Sequence, residues 1–212
     1  MNKYEVLMYP NSVYHIYNHA NGKENLFHNT NNYHFFLKKY DYYIEPIAKT
    51  FAYCLMPNHL HLMVQIKDET DIQKANVYFK INKQEKLENI EPLTEDKIPI
   101  FISKTFGNLF SSYAQSFNKQ QSRKGNLFAS NFKRRRVSDI SYFSKLLFYI
   151  HNNPVRHGFV ENMEDWLFSS YNTFLIEKKT KIAKQEVMEW FGDLIEFKKF
   201  HNSKKVDFGF EF

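Results

Sequence analysis

Residues His59 to Ile66 read HLHLMVQI, and apolar residues occupy every second position: Leu60, Leu62, Val64 and Ile66 alternate with His59, His61, Met63 and Gln65. Side chains of a strand point alternately to its two faces, so one face of this segment is wholly aliphatic and has to be buried. The other carries two imidazoles side by side. Ile47 to Met56 (IAKTFAYCLM) reads as a second strand, and only Pro57-Asn58 separates the two, so they are expected to pair as an antiparallel hairpin. Any fold for this chain must place that hairpin with its aliphatic face on a core.

The other elements follow from local pattern. Val13 to His19 (VYHIYNH) reads as a strand closed by the turn-forming run Asn18 to Gly22, and a helix capped by Thr30 or Asn31 carries Tyr33, Phe36, Leu37, Tyr40 and Ile44 until Pro46. Lys67 to Pro99 is charged and mixed, with eight acidic residues, and reads as an insertion or connector that is helical at Ile72 to Ile81. Phe106, Leu109, Phe110, Tyr113 and Phe117 make an amphipathic helix of Ile102 to Phe117. A strand lies within Leu127 to Val137, and Ser138-Asp139 caps a helix that Asn153-Pro154 is expected to end, since the residue before proline avoids helical geometry. Trp166, Phe168 and Tyr171 are expected to pin the following segment back onto the core. Lys181 to Phe191 and Leu194 to Phe200 read as short helices, and Asn202 to Phe212 as a mobile end.

With 212 residues, 43% hydrophobic and 18% aromatic, the chain is long enough for one core and too apolar for disorder. Its single cysteine, Cys54, excludes an internal disulfide and any multi-cysteine metal centre, and no apolar run approaches the 18 residues of a membrane span, so a cytoplasmic protein with no membrane partner is expected. The net charge of +6 is local: Ser116 to Arg136 holds seven basic residues (Lys119, Arg123, Lys124, Lys133, Arg134, Arg135 and Arg136) and no acidic one. Such a run suits phosphate binding, although on a strand Lys133 and Arg135 face away from Arg134 and Arg136, and a charged edge strand guarded against aggregation would read the same way.

Two constellations can carry chemistry. His59 and His61 have the spacing to bind one metal ion, or they are two histidines on a half-exposed sheet; a zinc site with Cys54 lacks a fourth ligand. On the later helix, Tyr149 and Asn153 stand one turn apart, on a face next to the core stripe of Phe143, Leu146, Leu147 and Ile150. Such a tyrosine is either a boundary residue or a nucleophile, and a phenol with an ordinary pKa near 10 needs a nearby cation to attack phosphorus.

In order along the chain, AYCLMPNHLHL (52–62), GNLF (125–128) with Phe132-Lys133, YIHNNPVRHG (149–158), Trp166 and Ser169-Ser170-Tyr171 resemble the single-tyrosine HUH transposases, most closely the REP-associated tyrosine transposases, over about Val13 to Tyr171. The resemblance implies an α+β, ferredoxin-like domain with a central antiparallel sheet and helices on one face, within residues 1–175, with the insertion at about 67–100 and a C-terminal helical extension over 176–212. It implies His59 and His61 as metal ligands with Asn153 as a third, Mg²⁺ or Mn²⁺ as the ion, and Tyr149 as the nucleophile. Cleavage and rejoining of single-stranded DNA beside a hairpin, through a 5′-phosphotyrosine, would follow. Arg123, Lys124 and Lys133 to Arg136 would hold the DNA, with the protein a monomer or homodimer. A domesticated hairpin-binding protein without activity, and a metal-dependent hydrolase using water, are the competing readings.

Overall fold

The computed structural model describes residues 6–203, apart from the side chains of 140 and 141; of the expected mobile end at Asn202 to Phe212, Asn202 is the last residue of a helix and the residues from 204 onward lie outside the described residues. Four strands form one antiparallel sheet: β1 (Val13–His19), β2 (Ala48–Leu55), β3 (His59–Ile66) and β4 (Lys133–Val137), in the spatial order β2-β3-β1-β4. With α1 (Thr30–Ile44) between β1 and β2, and α2 (Glu69–Ile81) and α3 (Lys97–Gln120) between β3 and β4, this is the split β-α-β-β-α-β arrangement of ferredoxin-like domains.

The aliphatic face of β3 decides where the first core forms. Leu60, Leu62, Val64 and Ile66 are buried with Tyr14 and Ile16 of β1, against Phe36 and Ile44 of α1 and Ile102, Phe106, Leu109 and Tyr113 of α3. The helices of the split motif therefore share one face of the sheet, as the resemblance implies. The opposite face is covered by α4 (Ile140–Arg156), α5 (Tyr171–Leu175), α6 (Lys184–Phe191) and α7 (Leu194–Asn202), whose Leu146, Ile150, Phe174, Val187 and Phe197 form a second core with Met63, Ala52 and Cys54.

Three local expectations need correction. The cap of α1 is Asn29, whose side chain accepts from Asn32 N–H, in place of Thr30 or Asn31. α3 begins at Lys97, five residues before Ile102, with Pro99 inside its first turn; the first backbone N–H groups of a helix have no partner within it, so a proline there removes nothing. Pro154 lies within α4, which runs on to Arg156. Proline cancels one intrahelical bond, but His157 N–H bonds Asn153 O at 3.0 Å, Gly158 N–H bonds Val155 O at 3.0 Å and Phe159 N–H bonds Pro154 O at 2.9 Å, so the last turn stays closed. Gly158, at φ +71°, is what ends the helix, in a left-handed conformation that a side chain would oppose.

Within the charged connector, Asp68 caps α2 by accepting from Asp71 N–H at 2.9 Å. Gln73 both donates to Leu93 O (2.7 Å) and accepts from Leu93 N–H (2.9 Å), strapping the return segment to α2. At the outer side of β2, Leu55 N–H bonds Phe168 O at 2.9 Å and Ser170 N–H bonds Tyr53 O at 2.9 Å, while Trp166 Nε1–H donates to Leu55 O at 2.9 Å. The 166–170 segment thus covers an edge that would otherwise expose unpaired backbone groups. The other edge, β4, carries Lys133 to Arg136.

Candidate active site

The site lies between the histidine face of the sheet and α4. His59 and His61 are nearly fully buried, at 3% and 4% exposure, so this is not the open sheet face that the bland reading of two histidines describes. Each has its Nδ1 held: His59 Nδ1 lies 2.7 Å from Asn58 Oδ1, and His61 Nδ1 lies 2.9 Å from His15 Nε2. Nε2 of each ring is then turned away from its anchor, and the Asn153 side chain reaches His59 within hydrogen-bonding range. Tyr149, on α4, sets its ring edge-on to His61 with centroids 5.3 Å apart and to His15 at 6.1 Å.

Because α4 continues past Pro154, positions 149, 153 and 156 lie along one side of a continuous helix. Asn153 is fully buried; its Nδ2 donates to Tyr149 O at 2.8 Å and its Oδ1 is buried without a hydrogen-bond partner. The guanidinium of Arg156 lies 5.8 Å from the centre of the Tyr149 ring. The sequence pattern paired Tyr149 with Asn153 but gave Arg156 no part, because the helix was expected to have ended.

Strand β1 adds residues that the sequence reading missed. In the β1–β3 ladder Tyr17 stands opposite His61 and His19 opposite His59. His19 stacks on His59 with centroids 4.6 Å apart, His15 stacks on Tyr17 at 4.9 Å, and Tyr17 stacks on His61 at 5.9 Å. His157, just past the end of α4, meets His59 edge-on at 4.8 Å. The signal was available: His15, Tyr17 and His19 alternate in Val13–His19 as His59 and His61 do in β3.

Burial governs the protonation of the cluster. Desolvation, with the charges of His19 and His157 also unfavourable, lowers His59 to about 3, and desolvation lowers His15 to about 3 with help from Arg135. His61 is held well below the ordinary imidazole range by burial and by its histidine neighbours. Neutral imidazoles with free lone pairs are what a cation requires. Burial raises the Tyr149 hydroxyl above the usual phenol value, and the Asn153 amide and the Arg156 charge oppose that rise.

The donors suit a divalent ion: two imidazole nitrogens left over from anchored rings, and an amide oxygen that is buried and unsatisfied. Among the described residues no group of three or more His, Cys, Asp and Glu is placed to hold a metal, and the Asn153 amide oxygen is a further oxygen donor on the Tyr149 side of α4. Cys54 stands opposite His61 across β2 and β3, but it is fully buried with its thiol pushed well up by desolvation, which does not favour a thiolate ligand.

The basic residues divide by face. Lys133 stands opposite Tyr17 and Arg135 opposite His15, so both lie on the histidine face of the sheet; Arg134 and Arg136 pair with Ile16 and Tyr14 on the other. Arg134 donates through Nε to Val6 O at 2.6 Å and lies 5.0 Å over the Phe132 ring, while Arg135 lies 5.4 Å over Tyr142. Arg123 is ion-paired with Glu24 and donates to Asn118 Oδ1 at 2.6 Å and Asn126 O at 3.2 Å, so it braces the 118–126 loop. Lys124 is exposed in that loop. Next to the loop, a cavity of about 440 Å³ opens between α3 and residues 125–132, lined among others by Asn18, Gln115, Asn118, Asn126 and Phe132.

A solved structure, of a REP-associated tyrosine transposase bound to a REP hairpin, superposes with a TM-score of 0.54 over 82% of this chain and 86% of that one, at 16% identity. The chain shares the fold of that protein. A curated Haemophilus influenzae protein that bears the name REP-associated tyrosine transposase is 26% identical over 126 residues, 58% of this chain. The chain spans 59% of that relative's length. No protein-family model matches. No helix among the described residues is long and apolar enough to cross a membrane.

Proposed function

We propose that this chain is a REP-associated-type transposase that cuts and rejoins single-stranded DNA beside a hairpin, forming a 5′-phosphotyrosine on Tyr149. One observation carries the reading: α4 sets Tyr149 edge-on to His61 at 5.3 Å, with the unsatisfied Asn153 Oδ1 on the same side of the helix. A likeness to two proteins with that name, one of them bound to a REP hairpin, supports the class of substrate.

On this reading His59, His61 and Asn153 hold a divalent cation, Mg²⁺ or Mn²⁺, which when bound supplies Lewis-acid polarisation of the scissile phosphate. Tyr149 Oη attacks phosphorus in line, the new O–P bond replaces the bond to the 3′ oxygen, and that oxygen leaves as a hydroxyl, taking up a proton as the phenol gives one up. The 5′ phosphate stays on Tyr149 until another 3′ hydroxyl reverses the exchange. Arg156, over the tyrosine ring, stabilises charge that grows on the phenolic oxygen. Lys133 and Arg135 hold backbone phosphates on the histidine face, with Lys124, Arg134 and Arg136 extending the basic surface. The transposase domain corresponds to residues 1–175 with the 67–100 insertion, and the helical extension from 176 buttresses α4.

The test is a denaturing gel with a single-stranded hairpin oligonucleotide and Mn²⁺. Wild type should form a covalent adduct and Tyr149→Phe should form none while binding the hairpin within a few-fold. An adduct with that variant, or hairpin binding by wild type with no adduct under any metal, would overturn the reading, the latter in favour of a non-catalytic hairpin binder.

A further inference from the structure

His15 has no part in the chemistry proposed above, yet it is fully buried in the wall of the site. Tyr17 stands directly opposite His61, so His15 is the diagonal neighbour of His61 across the β1–β3 ladder, within reach for an aromatic ring. The rings stack with centroids 5.1 Å apart, and His15 Nε2 lies 2.9 Å from His61 Nδ1. Tyr17 stacks on both, so neither ring is free to turn.

A neutral imidazole carries one N–H and one lone pair, and a hydrogen bond between two such rings has two possible directions with different consequences. If His15 donates, His61 keeps its proton on Nε2 and can offer only a hydrogen bond to a phosphate oxygen. If His61 donates from Nδ1, its Nε2 lone pair faces the site and can bind a cation. We infer that His15 is a positioning residue that accepts the Nδ1–H of His61 at Nε2, locking His61 in the tautomer that presents its Nε2 lone pair beside Tyr149. Asn58 Oδ1, which can only accept, imposes the same tautomer on His59 at 2.7 Å. Both histidines of the pair are then oriented from behind by a residue outside the ligand set, one from the preceding turn and one from the neighbouring strand.

The inference rests on the metal-binding reading of the site, but its decisive measurement needs neither metal nor DNA. In ¹⁵N-labelled, metal-free protein at pH 7.5, a long-range ¹H–¹⁵N spectrum, assigned with His61→Gln, should show His61 protonated at Nδ1 and unprotonated at Nε2. The reverse tautomer in wild type would overturn the role given to His15. In His15→Phe the lock is lost, so His61 should become a tautomer mixture and Mn²⁺ affinity, followed by electron paramagnetic resonance, should fall about 10- to 100-fold. His15→Gln, whose Oε1 can accept the same bond, should recover much of both. An unchanged tautomer and unchanged affinity in His15→Phe would refute the inference. Absence of Mn²⁺ binding by wild type would count against the metal reading alone, because the tautomer is measured independently.

Discussion

Asn153 donates its side-chain N–H to the main-chain carbonyl of Tyr149 at 2.8 Å, one turn away on α4, while the oxygen of the same amide is buried with no hydrogen-bond partner. The first contact fixes which way the amide points, and the second leaves an acceptor aimed away from the helix backbone. An unsatisfied buried oxygen costs about 1 to 3 kcal/mol, roughly what one hydrogen bond returns, so the residue contributes little net stability. Asn153→Ala should therefore melt within a few degrees of wild type while losing about tenfold or more in Mn²⁺ affinity and in adduct formation. A variant that cleaves normally would remove Asn153 from the site.

The division of the basic strand by face gives a prediction in salt. Lys133 and Arg135 share the histidine face, whereas Arg134 is tied to Val6 O and Phe132 on the other. For a hairpin stem, each phosphate contact contributes about 0.9 to the slope of log affinity against log salt, so Lys133→Ala with Arg135→Ala should reduce that slope by about 2. Arg134→Ala should change it less. Arg123→Ala should act mainly on stability, because it unties Glu24, Asn118 and Asn126. Equal slopes for the Lys133/Arg135 pair and wild type, in a filter-binding series, would contradict the assignment of the DNA surface.

Acid should weaken the fold. His151 Nδ1 lies 3.0 Å from His201 Nε2, joining α4 to α7, and His151 Nε2 lies 2.9 Å from Ser170 Oγ. Burial holds His201 down to about 4 and His151 well below the ordinary range. Both groups stay neutral in the folded chain while the unfolded chain takes up protons near pH 6.5. Their contribution to stability is thus complete above pH 6.5 and is lost as pH falls from there towards 4, by about 3 kcal/mol for His201 alone. His15 and His59, both lowered to about 3, act in the same direction. Urea midpoints at pH 7.5 and pH 5 should show the fall, and His201→Phe should flatten it; greater stability at pH 5 would show that these histidines are not buried neutral.

Trp166 closes the β2 edge. Replacing it with Phe removes the Nε1–H donated to Leu55 O and should cost about 1 to 2 kcal/mol, a drop of about 2 to 8 °C in melting temperature for a chain of this size. Adduct formation per folded molecule should be unchanged, because Trp166 supplies no group to the proposed chemistry at Tyr149. A normal melting point would mean that the 166–170 segment is held by its backbone pairing alone.

What the sequence by itself determined is whatever local periodicity encodes. Two-residue alternation placed His59 and His61 on one face of β3 and the aliphatic residues on the other, and helical spacing put Asn153 one turn from Tyr149. The continuation of α4 through Pro154 was not legible, because a missing N–H near a helix end is tolerated once Gly158 closes the turn, and that depends on the geometry of the whole terminus. Nor was the surrounding cluster. Which strand lies beside β3, and in what register, is settled by burying both faces of the sheet, and only that pairing sets His19 on His59, Tyr17 on His61, and Lys133 and Arg135 on the face of the site. A side chain's face is a property of its own strand; its neighbours are a property of the sheet, and the sheet forms only when the two cores do.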